Sequence, residues 1–187
     1  MTIDSSTGWL DGAVRTPSPN CDDRPVGVEP ELIVVHSISL PPGDYGGPWI
    51  SDFFQNRLDA TAHEYFAQIQ DLQVSAHALI SRNGHITQYV PFHRRAWHAG
   101  VSYFAGREAC NDFSIGIELE GTDESLFRSV QYWQLAELVS TLQRTYNSLH
   151  SCPIVGHSDI APGRKTDPGT GFNWDRFRRL INVNTLA

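Results

Sequence analysis

Leu32 to Val35 is an uninterrupted apolar run, rich in β-branched residues, that stops at His36. A run of this kind is the pattern of a strand buried on both faces, so a core strand is expected with a histidine at its carboxyl end. Over residues 113–121, Phe113, Ile115, Ile117 and Leu119 alternate with Gly116, Glu118 and Glu120. Alternation with period two predicts a second strand with one apolar and one polar face. Ala76 to Ser81 and Ile86 to Val90 flank Asn83-Gly84, a pair suited to the left-handed positions of a tight turn, which predicts an antiparallel hairpin. A shorter run, Ile154 to Gly156, delivers His157 to another strand end.

Helical spacing is expected over Asp52 to Leu58 and over Thr61 to Leu72, the latter with Tyr65, Phe66, Ile69 and Leu72 on one face. A long helix is expected from Val130 to Leu149, with Ser129 as its N-cap and Val130, Trp133, Leu138, Leu142 and Tyr146 near helical spacing. A shorter one closes the chain near Trp174 to Val183. Residues 1–30 are broken by Pro17, Pro19, Pro25 and Pro30 and by three glycines, and read as an irregular wrapping segment anchored by Trp9 and Leu10. Strands and helices interleave around a hairpin. The expectation is an α/β chain of the α+β type, one domain over 1–187 with a central mixed sheet flanked by helices.

Length and charge narrow the function classes. A chain of 187 residues holds one substantial core. Its net charge of −7, from 21 acidic and 14 basic residues, argues against broad attraction to nucleic acid or an anionic membrane. No window approaches 18 apolar residues, and no basic, then apolar, leader opens the chain. Cys21, Cys110 and Cys152 are odd in number and widely spaced, which reads as free thiols in a reducing compartment. Together these features give the expectation of a soluble cytoplasmic protein, with no obligate protein partner inferred.

Eight histidines ask for a chemical explanation. Residues 154–169, IVGHSDIAPGRKTDPG, place His157, Lys165 and Asp167 on one short loop. Asp167 precedes Pro168 and is biased toward an extended backbone, which would turn Lys165 and Asp167 to the same side. The competing reading is plain turn chemistry with a solvated lysine. His36, His157 and Asp167 fit the three-ligand set of a catalytic zinc, although no compact HExxH pattern accompanies them. Glu118 and Glu120 share the polar strand face. Either would suit a general base if desolvated, and both would be solvent-facing on a half-exposed sheet. Lys165 suits an oxyanion partner or a surface lysine. His77 reads as buried or pocket-lining, His98 sits beside Trp97, and His63, His85, His93 and His150 are expected to be exposed and without a role.

Five motifs in order, VVHSISLPPG, VSAHALISRNG, RAWHAGVS, GREACNDFSIGIELEGTD and GHSDIAPGRKTDPG, make the chain resemble a known family from about Gly8 to Phe177. The family is that of the 1,6-anhydro-N-acetylmuramyl-L-alanine amidases of bacterial cell-wall recycling, within the wider zinc amidase and peptidoglycan-recognition superfamily. The resemblance implies an amidase-like fold, zinc as cofactor and an anhydro-muropeptide substrate cut between the lactyl group and L-alanine. It implies His36, His157 and Asp167 as zinc ligands, Glu118 rather than Glu120 as base, and Lys165 as transition-state stabiliser. Asp167 stands where many superfamily members carry Cys. Ala76 stands where phage amidases carry Tyr, which leaves more of the work to Glu118. Ser37 replaces the Asn that relatives place after the metal histidine, with a shorter hydrogen-bonding reach. Trp97 and Arg107 are the expected sugar and peptide-carboxylate contacts. The alternatives are an amidase acting on non-anhydro peptidoglycan and a non-catalytic muropeptide-binding module.

Overall fold

The computed structural model describes residues 1–185; Leu186 and Ala187, the last of the expected 1–187 domain, lie outside the described residues. A six-stranded sheet is formed by β1 (Val14–Arg15), β2 (Leu32–Ile38), β3 (Ala78–Ile80), β4 (Ile86–Gln88), β5 (Ser114–Glu120) and β6 (Ile154–Gly156). Its strand order is β6-β2-β5-β3-β4-β1. All neighbours run parallel except the β3–β4 hairpin, so the sheet is mixed, as the interleaved pattern predicts. The helices are α1 (Trp49–Phe54), α2 (Glu64–Ile69), α3 (Ser129–Thr145), α4 (His157–Ile160) and α5 (Trp174–Thr185).

Strand alternation sorts the core into two layers. Ile33 and Val35 of β2 and Ile115, Ile117 and Leu119 of β5 face α3 and α5, where they meet Tyr132, Leu135, Val139, Leu142 and Phe177. Each such fully buried aliphatic side chain contributes roughly 1.5–3 kcal/mol by leaving water. On the opposite face Leu32 and Val34 pack with Ala99, Cys110, Phe113 and Ile160. Beside them α1 and α2 cover Ala76, Leu79 and Tyr89 with Phe53, Phe54 and Phe66. The candidate site opens on this second face, at the carboxyl ends of β2 and β5.

Several boundaries differ from the sequence expectation, each for a local reason. β5 is buried on both faces rather than half-exposed, because the second face is also covered. Phe113 falls outside its apolar face. A 3₁₀ turn over Cys110–Asp112 ends at Phe113 and resets the alternation before β5 begins. The first helix starts at Trp49, three residues before Asp52, and stops when Asn56 takes a left-handed φ of 57°. The second is shorter than Thr61 to Leu72. Asp59 folds back onto Thr61 N at 2.9 Å, and His63 caps Glu64–Ile69 by accepting from Tyr65 N at 3.1 Å. His63 therefore has a capping role that was not expected.

Ser129 is the first helical residue of α3, not its N-cap. Arg128 takes the cap position, and its N–H donates to Gln131 Oε1 at 3.0 Å. The buried stripe runs through Tyr132, Leu135, Ala136, Val139 and Leu142, which leaves Trp133 on the outside. The helix ends at Thr145, and a 3₁₀ turn over Asn147–Leu149 follows the extended Tyr146. Residues 1–30 are more ordered than their proline content suggests. Ile3–Asp4 pairs with Trp9–Leu10, β1 edges the main sheet, and Cys21–Asp22 pairs with Arg95–Ala96.

Candidate metal centre

His36, on β2, and Glu118, on β5, are direct register partners in the parallel pair, so both project from adjacent strands to the same face. His157 opens α4 immediately after β6, the strand on the other side of β2. Asp167 lies on the loop that returns beneath α4, where its carbonyl accepts from Ser158 N at 2.9 Å. Gly169 takes a left-handed φ of 77° and lies so close to Asp123 that a Cβ would sit 2.1 Å from its Cα. Gly171 N then donates to the Asp123 carbonyl at 2.7 Å, pinning the loop to the end of β5.

These elements bring three ligand atoms together. His36 Nδ1, His157 Nδ1 and Asp167 Oδ2 are separated by 3.0, 3.1 and 3.2 Å. They form the single group of potential metal ligands among the described residues. Tetrahedral zinc with ligand bonds of about 2.0–2.1 Å spaces its ligand atoms about 3.3–3.4 Å apart. The observed triangle is close to that spacing. Two bare Nδ1 atoms 3.0 Å apart repel unless a proton or cation lies between them. Their outer nitrogens are engaged from behind: His157 Nε2 lies 3.1 Å from the Ala99 carbonyl and His36 Nε2 lies 2.9 Å from His98 Nδ1. A carbonyl cannot donate, so His157 carries its proton on Nε2 and presents a lone pair at Nδ1. Arg164 Nη2 lies 3.4 Å from the same Nε2 but donates to the Ala99 carbonyl at 2.5 Å. Two imidazoles and a carboxylate, all deprotonated toward one point, fit zinc.

The electrostatics agree with that donor set. Burial pushes the His36 imidazole down to about 4, against the raising effect of Asp167, so the ring is neutral near pH 7. Burial alone would raise Asp167, but the close approach of His157 and His36 outweighs it and holds the carboxyl below the usual carboxylate range, a pull exerted by whatever proton or cation the triangle holds. Glu118 is 8 % exposed, and its Oε2 has no hydrogen-bond partner. Burial, then the nearby Asp167 charge, push its carboxyl well above the usual range, and Lys165 draws it back.

A cavity of about 670 Å³ joins these groups, large enough for a small ligand. It is lined by His36, Ser37, His98, Glu118, His157, Lys165 and Asp167, with an apolar arm through Phe53, Tyr65, Ile69 and Val74. Ser37 Oγ lies 3.5 Å from Asp123 Oδ1 on its rim. Glu120 is not free to act: it accepts from Gly46 N at 2.5 Å and Arg82 N at 2.8 Å. Trp97 and Arg107 do not line the cavity. Trp97 N donates to Ser75 Oγ at 3.1 Å, while Arg107 lies over the Phe113 ring and pairs with Glu31 at 2.7 Å.

His77, open in the sequence reading, is fully buried and outside the cavity. Its Nδ1 accepts from Gly116 N at 3.0 Å and its Nε2 donates to the Arg94 carbonyl at 3.0 Å. Sequence reasoning gave no role to His98, Asn111 or Ser114. The one signal was AWHAG, where a histidine follows Trp97 and precedes the small pair Ala99-Gly100.

Three comparisons with known proteins bear on this geometry. The sequence profile of the N-acetylmuramoyl-L-alanine amidase family matches residues 26–170. The chain is 57% identical over 178 residues to the 1,6-anhydro-N-acetylmuramyl-L-alanine amidase AmpD of Escherichia coli K12, covering 95% of this chain and 97% of the relative. A solved selenomethionine derivative of AmpD superposes with a TM-score of 0.93 at 56% identity, covering 97% of this chain and 99% of that one. The amidase AmiD of E. coli, solved with anhydro-N-acetylmuramic acid-L-Ala-D-gamma-Glu-L-Lys, has a TM-score of 0.56 at 29% identity, covering 92% of this chain and 60% of that one.

Proposed function

The chain belongs to the N-acetylmuramoyl-L-alanine amidase family, and we propose that it is a zinc-dependent hydrolase of the amide joining 1,6-anhydro-N-acetylmuramic acid to L-alanine in cytoplasmic muropeptides. The observation that carries this reading is the triangle of His36 Nδ1, His157 Nδ1 and Asp167 Oδ2 beside the unpartnered, buried Glu118 carboxyl. Similarity to AmpD over nearly all of both chains supports the substrate. So does the anhydromuramyl peptide bound by the related AmiD. Three free cysteines are compatible with a reducing compartment and hence with a role in recycling.

When bound to His36, His157 and Asp167, zinc would supply Lewis-acid polarisation of a carbonyl and acidify an attacking water. The protein's own groups handle the protons and the charge. Glu118 accepts the proton of the attacking water, its raised proton affinity suiting a base that must later give the proton up. It then delivers that proton to the departing alanine nitrogen. Lys165 supplies fixed positive charge where the lactyl carbonyl oxygen becomes an oxyanion. Ser37, with Asp123 beside it, offers a hydrogen bond at the rim. Trp97 and Arg107 would reach substrate only outside the main cavity.

Zinc content measured together with cleavage of an anhydro-muropeptide and of its non-anhydro counterpart tests the proposal. One zinc per chain, with faster release of peptide from the anhydro substrate, is expected. A protein that binds the muropeptide without cutting it, or that cuts at full rate after complete metal removal, would overturn the reading.

A further inference from the structure

The dipeptide His98-Ala99 touches both metal-site histidines from behind, through their outer nitrogens: His98 Nδ1 lies 2.9 Å from His36 Nε2, and the Ala99 carbonyl 3.1 Å from His157 Nε2. The second contact has only one direction, since the carbonyl must accept. The first joins two imidazole nitrogens, and the far side of His98 decides it. His98 Nε2 lies 3.1 Å from Ser114 Oγ, and Ser114 Oγ lies 2.5 Å from the Cys110 carbonyl. That carbonyl can only accept, so the Ser114 hydroxyl proton goes to it and Ser114 Oγ accepts from His98 Nε2. A neutral imidazole holds one N–H. His98 Nδ1 is therefore bare, and His36 Nε2 donates to it.

The chain thus runs in one direction, from His36 through His98 and Ser114 to a backbone carbonyl. Two further features hold it in place. Asn111 Oδ1 accepts from both His98 N at 3.0 Å and Ala99 N at 2.7 Å, fixing the dipeptide. Gly116 lies directly under the His98 ring, where a Cβ would come within 2.3 Å of Cγ, so only glycine admits the imidazole. His98 is 9 % exposed and Ser114 fully buried, so bulk water offers Ser114 no substitute partner.

We infer that His98 is a positioning residue, and that the segment His98-Ala99, pinned by Asn111, fixes both imidazoles of the candidate centre in the tautomer that presents Nδ1 to a cation. This rests on the metal-centre reading above and extends it to residues that supply no ligand atom themselves. Outer-shell partners of this kind typically change metal affinity by about 10- to 100-fold when removed.

Two measurements on the full chain test it. Long-range ¹⁵N–¹H spectra of the zinc-loaded wild type should show His36, His98 and His157 all protonated on Nε2. Zinc Kd, by chelator competition, should weaken by about 10- to 100-fold in His98→Leu. It should be largely restored in His98→Asn, whose Oδ1 replaces the lost acceptor, and Ser114→Ala should weaken it by a smaller factor. The inference fails if wild-type His98 carries its proton on Nδ1, a result that needs no variant to fold. It also fails if His98→Leu holds zinc as tightly as wild type, or if His98→Asn is as weak as His98→Leu, which would make the role steric. Wild type that takes up no zinc would instead remove the metal-centre reading itself.

Discussion

His36 and Glu118 stand opposite one another in the parallel register of β2 and β5, one strand apart and pointing into the same cavity. That pairing puts a neutral imidazole and a buried carboxyl side by side on two adjacent inner strands of the main sheet, where strand register fixes their spacing. A site whose geometry is set by sheet register tolerates change in its chemistry better than change in its backbone.

Glu118→Gln removes the proposed base while keeping size and shape. Zinc content should stay at the wild-type level, and kcat should fall by about 10²- to 10⁴-fold, the usual range for a general base. Elemental analysis of the protein used for the kinetics checks both halves. Turnover near the wild-type rate in metal-loaded enzyme would discard the assignment.

Lys165→Ala tests the oxyanion partner. Lys165 is exposed and lines the cavity, so its loss should leave folding and zinc content unchanged. A fall in kcat of about 10²- to 10³-fold is expected, in line with removal of one oxyanion donor. A change confined to KM would point to ground-state binding instead.

Glu120→Ala separates the two glutamates of β5. It removes the acceptor of Gly46 N and Arg82 N from a site 4 % exposed. The cost should be about 1–3 kcal/mol of stability, read from the urea midpoint, because two part-buried hydrogen bonds of about 0.5–1.5 kcal/mol each are lost. Zinc binding should persist, which is the contrast with His157→Ala or Asp167→Ala, where zinc and activity should be lost together.

Zinc should stabilise the fold, since His36, His157 and Asp167 converge only in the native state. At free zinc of 100 times Kd, linkage gives about 2.7 kcal/mol. A thermal melt of metal-free and zinc-loaded protein measures this, and identical midpoints would contradict a native-state site.

His77 predicts a pH dependence of stability that is independent of metal. Burial lowers its imidazole to about 3, against about 6.5 in the unfolded chain. Between these values the unfolded state binds the extra proton. The contribution is therefore complete above about pH 6.5 and is lost as pH falls toward about 3. Urea midpoints measured from pH 7 to pH 4 should fall, and they should fall less steeply in His77→Leu, whose overall stability is lower because Gly116 N loses its acceptor.

The hairpin at Asn83-Gly84 and the burial of β2 follow from local pattern, because apolar period and turn chemistry are properties of neighbouring residues. So does the candidate ligand set, since His36 and His157 end apolar runs and Asp167 shares a short loop with His157. What local pattern could not decide was anything that depends on partners far along the chain. The choice between Glu118 and Glu120 is structurally a matter of what covers each: Gly46 and Arg82 occupy Glu120, and nothing occupies Glu118 Oε2. Arg107 is drawn away by Glu31 and Phe113, 76 and 6 positions distant. His98 reaches His36 across 62 residues, through space that Gly116 leaves empty. Sequence specifies which groups can do the chemistry; tertiary packing determines which of them are desolvated, paired and aimed, because those properties are set by contacts between segments and not by the order of residues within one.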